Sequence, residues 1–185
     1  MSILYDENYN ALRIDEVTKA LPSIPFREWL THQGRLFVTS VMDTSVPNNG
    51  TLDLLVRVPA GVKAHAVFGI QCVGNTIVSL FEVAITASPV GDPIAALNRD
   101  LSKDTSALST TFFENPVLSS PIGTLIGRPQ LLFGGEKNQA FAVESSMASE
   151  IILDEATDYI VSAENISGSA TLIEIDVSLY EENTP

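Results

Sequence analysis

From Arg35 onward, apolar and polar residues alternate with a period of two, the spacing of strands that bury one face. Thr51–Val58 shows it most simply: Leu52, Leu54, Val56 and Val58 share one face, while Asp53 and Arg57 share the other with Leu55. The cluster Pro47-Asn48-Asn49-Gly50 precedes it, and Asn-Gly is a strong turn signal because both residues tolerate positive φ. Residues 64–73 and 77–87 are apolar runs on either side of Gly74-Asn75, a pattern that predicts a hairpin. Pro89, Gly91 and Pro93 close that unit, and residues 98–106 read as a polar loop. Further strands are predicted over residues 108–113, 124–133, 150–153 and 158–164, with Gly134-Gly135 marking a loop. The last strand, residues 170–180, alternates most cleanly: Ile173, Ile175, Val177 and Leu179 inward, Glu174, Asp176 and Ser178 outward. Gly168 supplies the turn before it.

The first thirty residues follow another pattern. Residues 6–20 mix charge with scattered apolar positions, and Pro22 and Pro25 interrupt any helix and favour extended backbone. The division predicted is an N-terminal arm, residues 1–30, and one domain, residues 31–185. Short strands separated by turn signals, with no strong helical stripe after Thr31, predict an all-β fold: an antiparallel β-sandwich, jelly-roll-like. The chain shows no internal repeat and no low-complexity tract.

Composition narrows the function. With 185 residues and 45% hydrophobic content, the chain can bury a core without disulfides or metal. Its net charge is -13, and Lys137 is the last basic residue, followed by ten acidic ones. Such a surface repels phosphate backbones, which argues against nucleic-acid binding. Cys72 is the only cysteine and lies in an apolar run, where a buried, inert thiol is expected. No secretory signal and no stretch of membrane-spanning length is evident, so the expectation is a protein made in the cytoplasm and not inserted in a membrane. Asn49-Gly50-Thr51 and Asn165-Ile166-Ser167 then mean turns rather than glycosylation sites.

Candidate chemistry is sparse. His32 and His65 have no ligand pair at zinc spacing, and His65, opening an apolar strand, reads as a hydrogen-bonded structural histidine. No Gly-x-Ser-x-Gly elbow exposes a serine, and the neighbours of Cys72 raise rather than lower its thiol pKa. Residues 123–128 lack the lysine and hydroxyl of a phosphate loop, and residues 100–104 lack the glycine and terminal glutamate of a calcium loop. Glu174 and Asp176 project from one strand face, compatible with acid–base work or a cation, but a solvated outer face explains them more simply. The expectation is no enzyme, no cofactor, no metal and no catalytic residue.

A series of short motifs carries a resemblance. His32-Gln33-Gly34-Arg35-Leu36-Phe37 resembles the His-x-Gly-x-x-Phe entry motif of tailed-phage head decoration (cement) proteins, and Gly50-Thr51-Leu52-Asp53 is similar to the strand that follows it there. Ala64-His65, Leu80-Phe81-Glu82, Leu97-Asn98-Arg99, Gly134-Gly135-Glu136, Glu150-Ile151-Ile152-Leu153, Tyr159-Ile160-Val161, Glu164-Asn165 and Leu179-Tyr180-Glu181 continue the resemblance in order, with Leu179 where the family has Trp. The resemblance covers roughly residues 30 to 182. It implies a structural virion protein on the outer surface of a phage head, bound to the major capsid protein and stabilising the lattice, as a homo-oligomer and most simply a trimer. Apolar residues expected on second strand faces, Leu55, Val67, Val78 and Leu80, also point to an oligomer. The other readings are a different virion component (head fibre base, tail or baseplate) and a carbohydrate-binding jelly-roll module. The last is weaker, because Trp29, the only Trp, falls in the expected arm.

Overall fold

The structure, a computed structural model, describes residues 25–84, 91–103, 108–117, 122–134, 145–146 and 150–183. Most of the expected arm, residues 1–24, lies outside the described residues, as do Gly135 and Glu136 of the loop motif. One short helix, α1 (Phe26–His32), precedes β1 (Phe37–Val46), β2 (Thr51–Val58), β3 (Val62–Cys72) and β4 (Thr76–Ala84). Then come β5 (Asp92–Ile94), β6 (Leu97–Asn98), β7 (Thr111–Glu114), β8 (Thr124–Leu132), β9 (Ser145–Ser146), β10 (Ile151–Leu153), β11 (Thr157–Asn165) and β12 (Thr171–Asn183).

The strands form two antiparallel sheets packed face to face. The first runs β10-β3-β12-β1-β6, with β9 also on β3; the second runs β5-β7-β2-β11-β4-β8. Alternation places the core as expected. Leu52, Leu54, Val56 and Val58 of β2 meet Ile173, Ile175, Val177 and Leu179 of β12 in one buried cluster, with Phe68 and Ile70 of β3 and Phe112 of β7. Sheet ends are blunted. β5 and β6 are two or three residues long, and the longer edge β8 has residues 127–129 bulged out opposite Ser79, with Gly127 at φ 73 and Pro129 lacking an N–H.

Two expectations need correction. Residues 64–73 and 77–87 do not pair as a hairpin: β3 lies beside β12, and β4 lies beside β11 and β8 in the opposite sheet. Gly74 carries the chain across, and a Cβ there would meet the Ser167 side chain at 2.8 Å and the Thr171 hydroxyl at 2.9 Å. Val78 and Leu80 do not lie on a second face either; both are buried in the shared core. Leu55 does face away from that core, and cross-strand register puts it in a row with Phe113, Ile160, Phe81 and Leu125. Leu55 and Ile160 are buried there, beside a bidentate pair in which Arg57 donates to Asp158 at 2.8 and 2.6 Å. Two stretches read as loop contain the short strands β5 and β6.

At one end of the sandwich, asparagines tie the crossing turns together. Asn165, fully buried, donates from Nδ2 to the carbonyls of Val46 (2.8 Å) and Ser169 (2.7 Å) and accepts at Oδ1 from Ser167 N–H (2.9 Å) and the Ser167 hydroxyl (2.7 Å). Asn48 Oδ1 accepts from Gly168 N–H, and Asn75 Oδ1 accepts from Gly134 N–H.

Candidate functional site

The face of the first sheet that points away from the core carries the most concentrated side-chain chemistry described. α1 lies on it. Pro25 sits at the helix start with φ -52, already in the range the helix needs, and Trp29 N–H donates to its carbonyl. The helix stops at Gly34, whose φ of 67 is open to glycine; Gly34 N–H returns to Thr31 O and Arg35 N–H to Leu30 O, both at 2.9 Å. That is the physical meaning of the glycine in His32-Gln33-Gly34-Arg35-Leu36-Phe37. Leu30 is buried, so α1 is anchored to the sandwich across the boundary expected at Thr31.

Two of the ordered motifs meet here. Asn98, 1% exposed, donates through Nδ2 to Gly34 O at 2.7 Å, and Arg99 N–H donates to Leu36 O at 2.8 Å. The stem of Lys103 lies over Gly34, where any Cβ would approach its Cγ to 2.6 Å. Arg27, His32 and Arg99, with Glu28 and Thr31, therefore line a shallow pocket of about 510 Å³.

A line of rings runs from α1 onto the sheet. Trp29 stacks on Phe26 (centroids 5.8 Å apart), Phe26 meets the edge of Tyr180 (5.6 Å), and Tyr180 stacks on His65 (4.5 Å). Phe26 is 55% and Trp29 36% exposed. The Tyr180–His65 stack follows from register, since the two residues face each other across β12 and β3. His65 Nδ1 bonds Glu150 Oε1 at 2.8 Å, Nε2 faces Glu182 Oε2 at 3.3 Å, and the Tyr180 hydroxyl donates to Glu150 Oε1 at 3.0 Å. Burial, together with the bond to Glu150 and the charges of Glu150 and Glu182, pushes the Tyr180 phenol up to about 12. Burial also works on Glu150, upward, but the bonds from His65 and Tyr180 outweigh it and hold the carboxyl below its usual range.

Beside the rings, Arg27 Nη2 donates to Ser178 Oγ at 2.6 Å. Ser178 also borders a groove of about 500 Å³ whose walls include Val38, Leu97, Glu174 and Asp176. The Asp176 carboxylate lies over the Cα of Gly69, in the space a Cβ would occupy.

The sequence-predicted residues thus scatter. His65 is hydrogen-bonded on the outer face, His32 ends α1, and Glu174 and Asp176 point outward into the groove. Cys72 points inward on β3, opposite to His65, and burial pushes its thiol up, partly offset by a hydrogen bond with Thr76. Among the described residues no group of three or more His, Cys, Asp or Glu is placed to hold a metal ion, and no helix is long and apolar enough to cross a membrane. Sequence reasoning missed the ring line and the carboxylates around His65; the one available signal was that His65, Tyr180 and Glu182 all occupy outward positions of their strands. No family model, curated protein or solved structure matches the chain.

Proposed function

We propose that this chain is a non-catalytic structural protein that binds the outer surface of a tailed-phage head as a decoration protein, with a jelly-roll-like sandwich and a trimeric assembly. One observation carries the reading: the ordered motifs that resemble the decoration family pair with one another in the fold. Asn98 and Arg99 bond to the Gly34–Leu36 segment. Thr51 of the Gly50–Asp53 motif pairs with Glu164, Tyr159-Ile160-Val161 faces Leu80-Phe81-Glu82, and Ala64-His65 faces both Ile152-Leu153 and Tyr180-Glu181.

On this reading the protein adds interface across neighbouring capsid subunits, which must break before the shell opens, and many lattice points multiply a modest affinity. It uses no cofactor and no metal, and its partner is the major capsid protein. Carbohydrate binding is the second reading, favoured by the exposed Phe26–Trp29 pair, which sits on the domain. Purified protein mixed with undecorated heads, with tails and with a glycan panel separates the readings. Saturable cosedimentation with heads alone is the expected result; binding to tails or to glycans but not to heads overturns the proposal.

A further inference from the structure

The outer face of the first sheet has the composition of a docking surface. Trp, Tyr and Arg dominate binding energy at protein interfaces, and Trp29, Tyr180 and Arg27 gather there with the exposed Phe26. The adjoining groove is of ligand size, about 500 Å³. Its walls are of two kinds: Val38, Ala95 and the 56%-exposed Leu97 are apolar, while Glu174 and Asp176 are acidic, the Asp176 carboxylate lying over Gly69. Glu150 and Glu182 add negative charge at the far side of the ring line.

We infer that this face holds an extended segment of a partner protein carrying a lysine or arginine side chain in the groove. Such a side chain matches both kinds of wall: its methylene stem lies along Val38 and Leu97 while its cationic head reaches Glu174 and Asp176. The backbone on either side of it packs against Phe26 and Trp29. A neutral sugar would use the rings but gain nothing from the charge of two carboxylates, and an anionic segment is repelled by them. The inference rests on the reading of this chain as a protein that docks on a protein shell, and it names the face and the chemistry that do so.

Trp29 is the only tryptophan in the chain, so its fluorescence reports on this face alone. The probes are a capped peptide of alternating lysine and valine, its glutamate–valine counterpart, and cellohexaose. The lysine peptide is expected to change Trp29 emission saturably, and the other two are not. Substituting E174Q with D176N should weaken the lysine peptide by roughly tenfold, while D92N with E114Q, on the second sheet, should change it by less than about twofold. E174Q alone serves if the double variant does not fold by circular dichroism. The inference is overturned if the remote pair matters as much as the groove pair, if Trp29 emission stays unchanged, or if cellohexaose binds in place of the peptide. Undecorated heads then separate this inference from the reading beneath it. Heads that ignore the wild-type protein sink the decoration reading, whatever the peptide does; heads that bind E174Q/D176N and W29A as well as wild type sink the docking face alone.

Discussion

Replacing Asn165 tests how the sandwich is closed at its asparagine-rich end. The side chain is fully buried and makes four hydrogen bonds, two as donor to Val46 O and Ser169 O and two as acceptor from Ser167. Its backbone also joins the β1–β2 turn, accepting from Asn49 N–H and donating to Gly50 O. Asn165→Ala deletes the side-chain bonds and keeps the backbone ones. The Ser167 hydroxyl already reaches Ser169 O at 2.9 Å and can satisfy that carbonyl, so Val46 O and Ser167 N–H are the groups left bare. An unsatisfied buried group costs about 1–3 kcal/mol, which puts the loss at about 3 kcal/mol. For a chain of this size that is a fall in Tm of about 6–12 °C. Asn165→Asp makes a sharper test. It is the same size and keeps the acceptor, but at neutral pH it turns the donor into a second acceptor facing two carbonyls. It should therefore destabilise more than alanine at pH 7, and less as falling pH protonates the acid and restores a donor. Urea titration of the three proteins, with m unchanged and the midpoint shifted, is the measurement. A loss below about 1 kcal/mol for Asn165→Ala, or an aspartate better tolerated than alanine at pH 7, would refute the reasoning.

Arg57→Ala should cost about 3 kcal/mol in urea titration, because it strands the buried Asp158 carboxylate, whereas the Arg57→Leu/Asp158→Leu double variant should recover most of that. Cys72 should react with thiol reagents only at the rate of unfolding, and Cys72→Ala should lower stability by about 1 kcal/mol; fast labelling of the native protein would contradict its placement. The Tyr180 phenol is raised from its usual 10 to about 12, so the folded state resists its ionisation. The stability this represents is fully present below pH 10 and fades as pH rises from 10 toward 12. Subtracting the phenolate absorbance titration of Tyr180→Phe from that of wild type should leave one phenol titrating near pH 12; a difference centred at pH 10 would show that the phenol is neither buried nor bonded to Glu150 as described.

Alternation revealed which side of each strand meets the core and almost nothing about which sheet the strand joins. β12 illustrates the first point: every inward residue from Ile173 to Leu179 and every outward one from Glu174 to Ser178 stands where a period of two puts it. β3 and β4 illustrate the second. An apolar run, a Gly-Asn turn and another apolar run describe a hairpin and a crossing between sheets equally well, because both need inward residues on either side of a tight bend. What decides is the company of the turn. Gly74 is pressed against Ser167 and Thr171, which lie more than ninety positions later in the chain, and that proximity has no local signature. The same reason explains Val78 and Leu80: assigned to a hairpin with β3 they fall on a second face, and assigned to the opposite sheet they fall in the core.

The candidate site was hidden for a related reason. His65, Glu150, Tyr180 and Glu182 are unremarkable alone, each an outward residue on or next to a strand, and they meet only because β12 and β10 both pair with β3, each in one register. A shift of one residue would turn Tyr180 into the core and leave His65 without its ring partner. Trp29 lies before the expected domain start, yet Leu30 beside it is buried and Arg27 two residues earlier holds Ser178. A helix of seven residues has too few turns to show a hydrophobic stripe, so its anchoring could be seen only from the sheet it covers. The docking face therefore draws on segments far apart in sequence: α1 carries the rings, and β1, residues 95–97 and β12 line the groove. The lysine–valine peptide tests that convergence directly: a groove assembled from three segments should lose its ligand when either wall is altered. Leu97→Asn, which removes the apolar contact without adding charge, should weaken the peptide's effect on Trp29, as E174Q/D176N does at the charged wall. A peptide affinity that survives Leu97→Asn would mean that the carboxylates act alone, as a charged surface and not as one wall of a site.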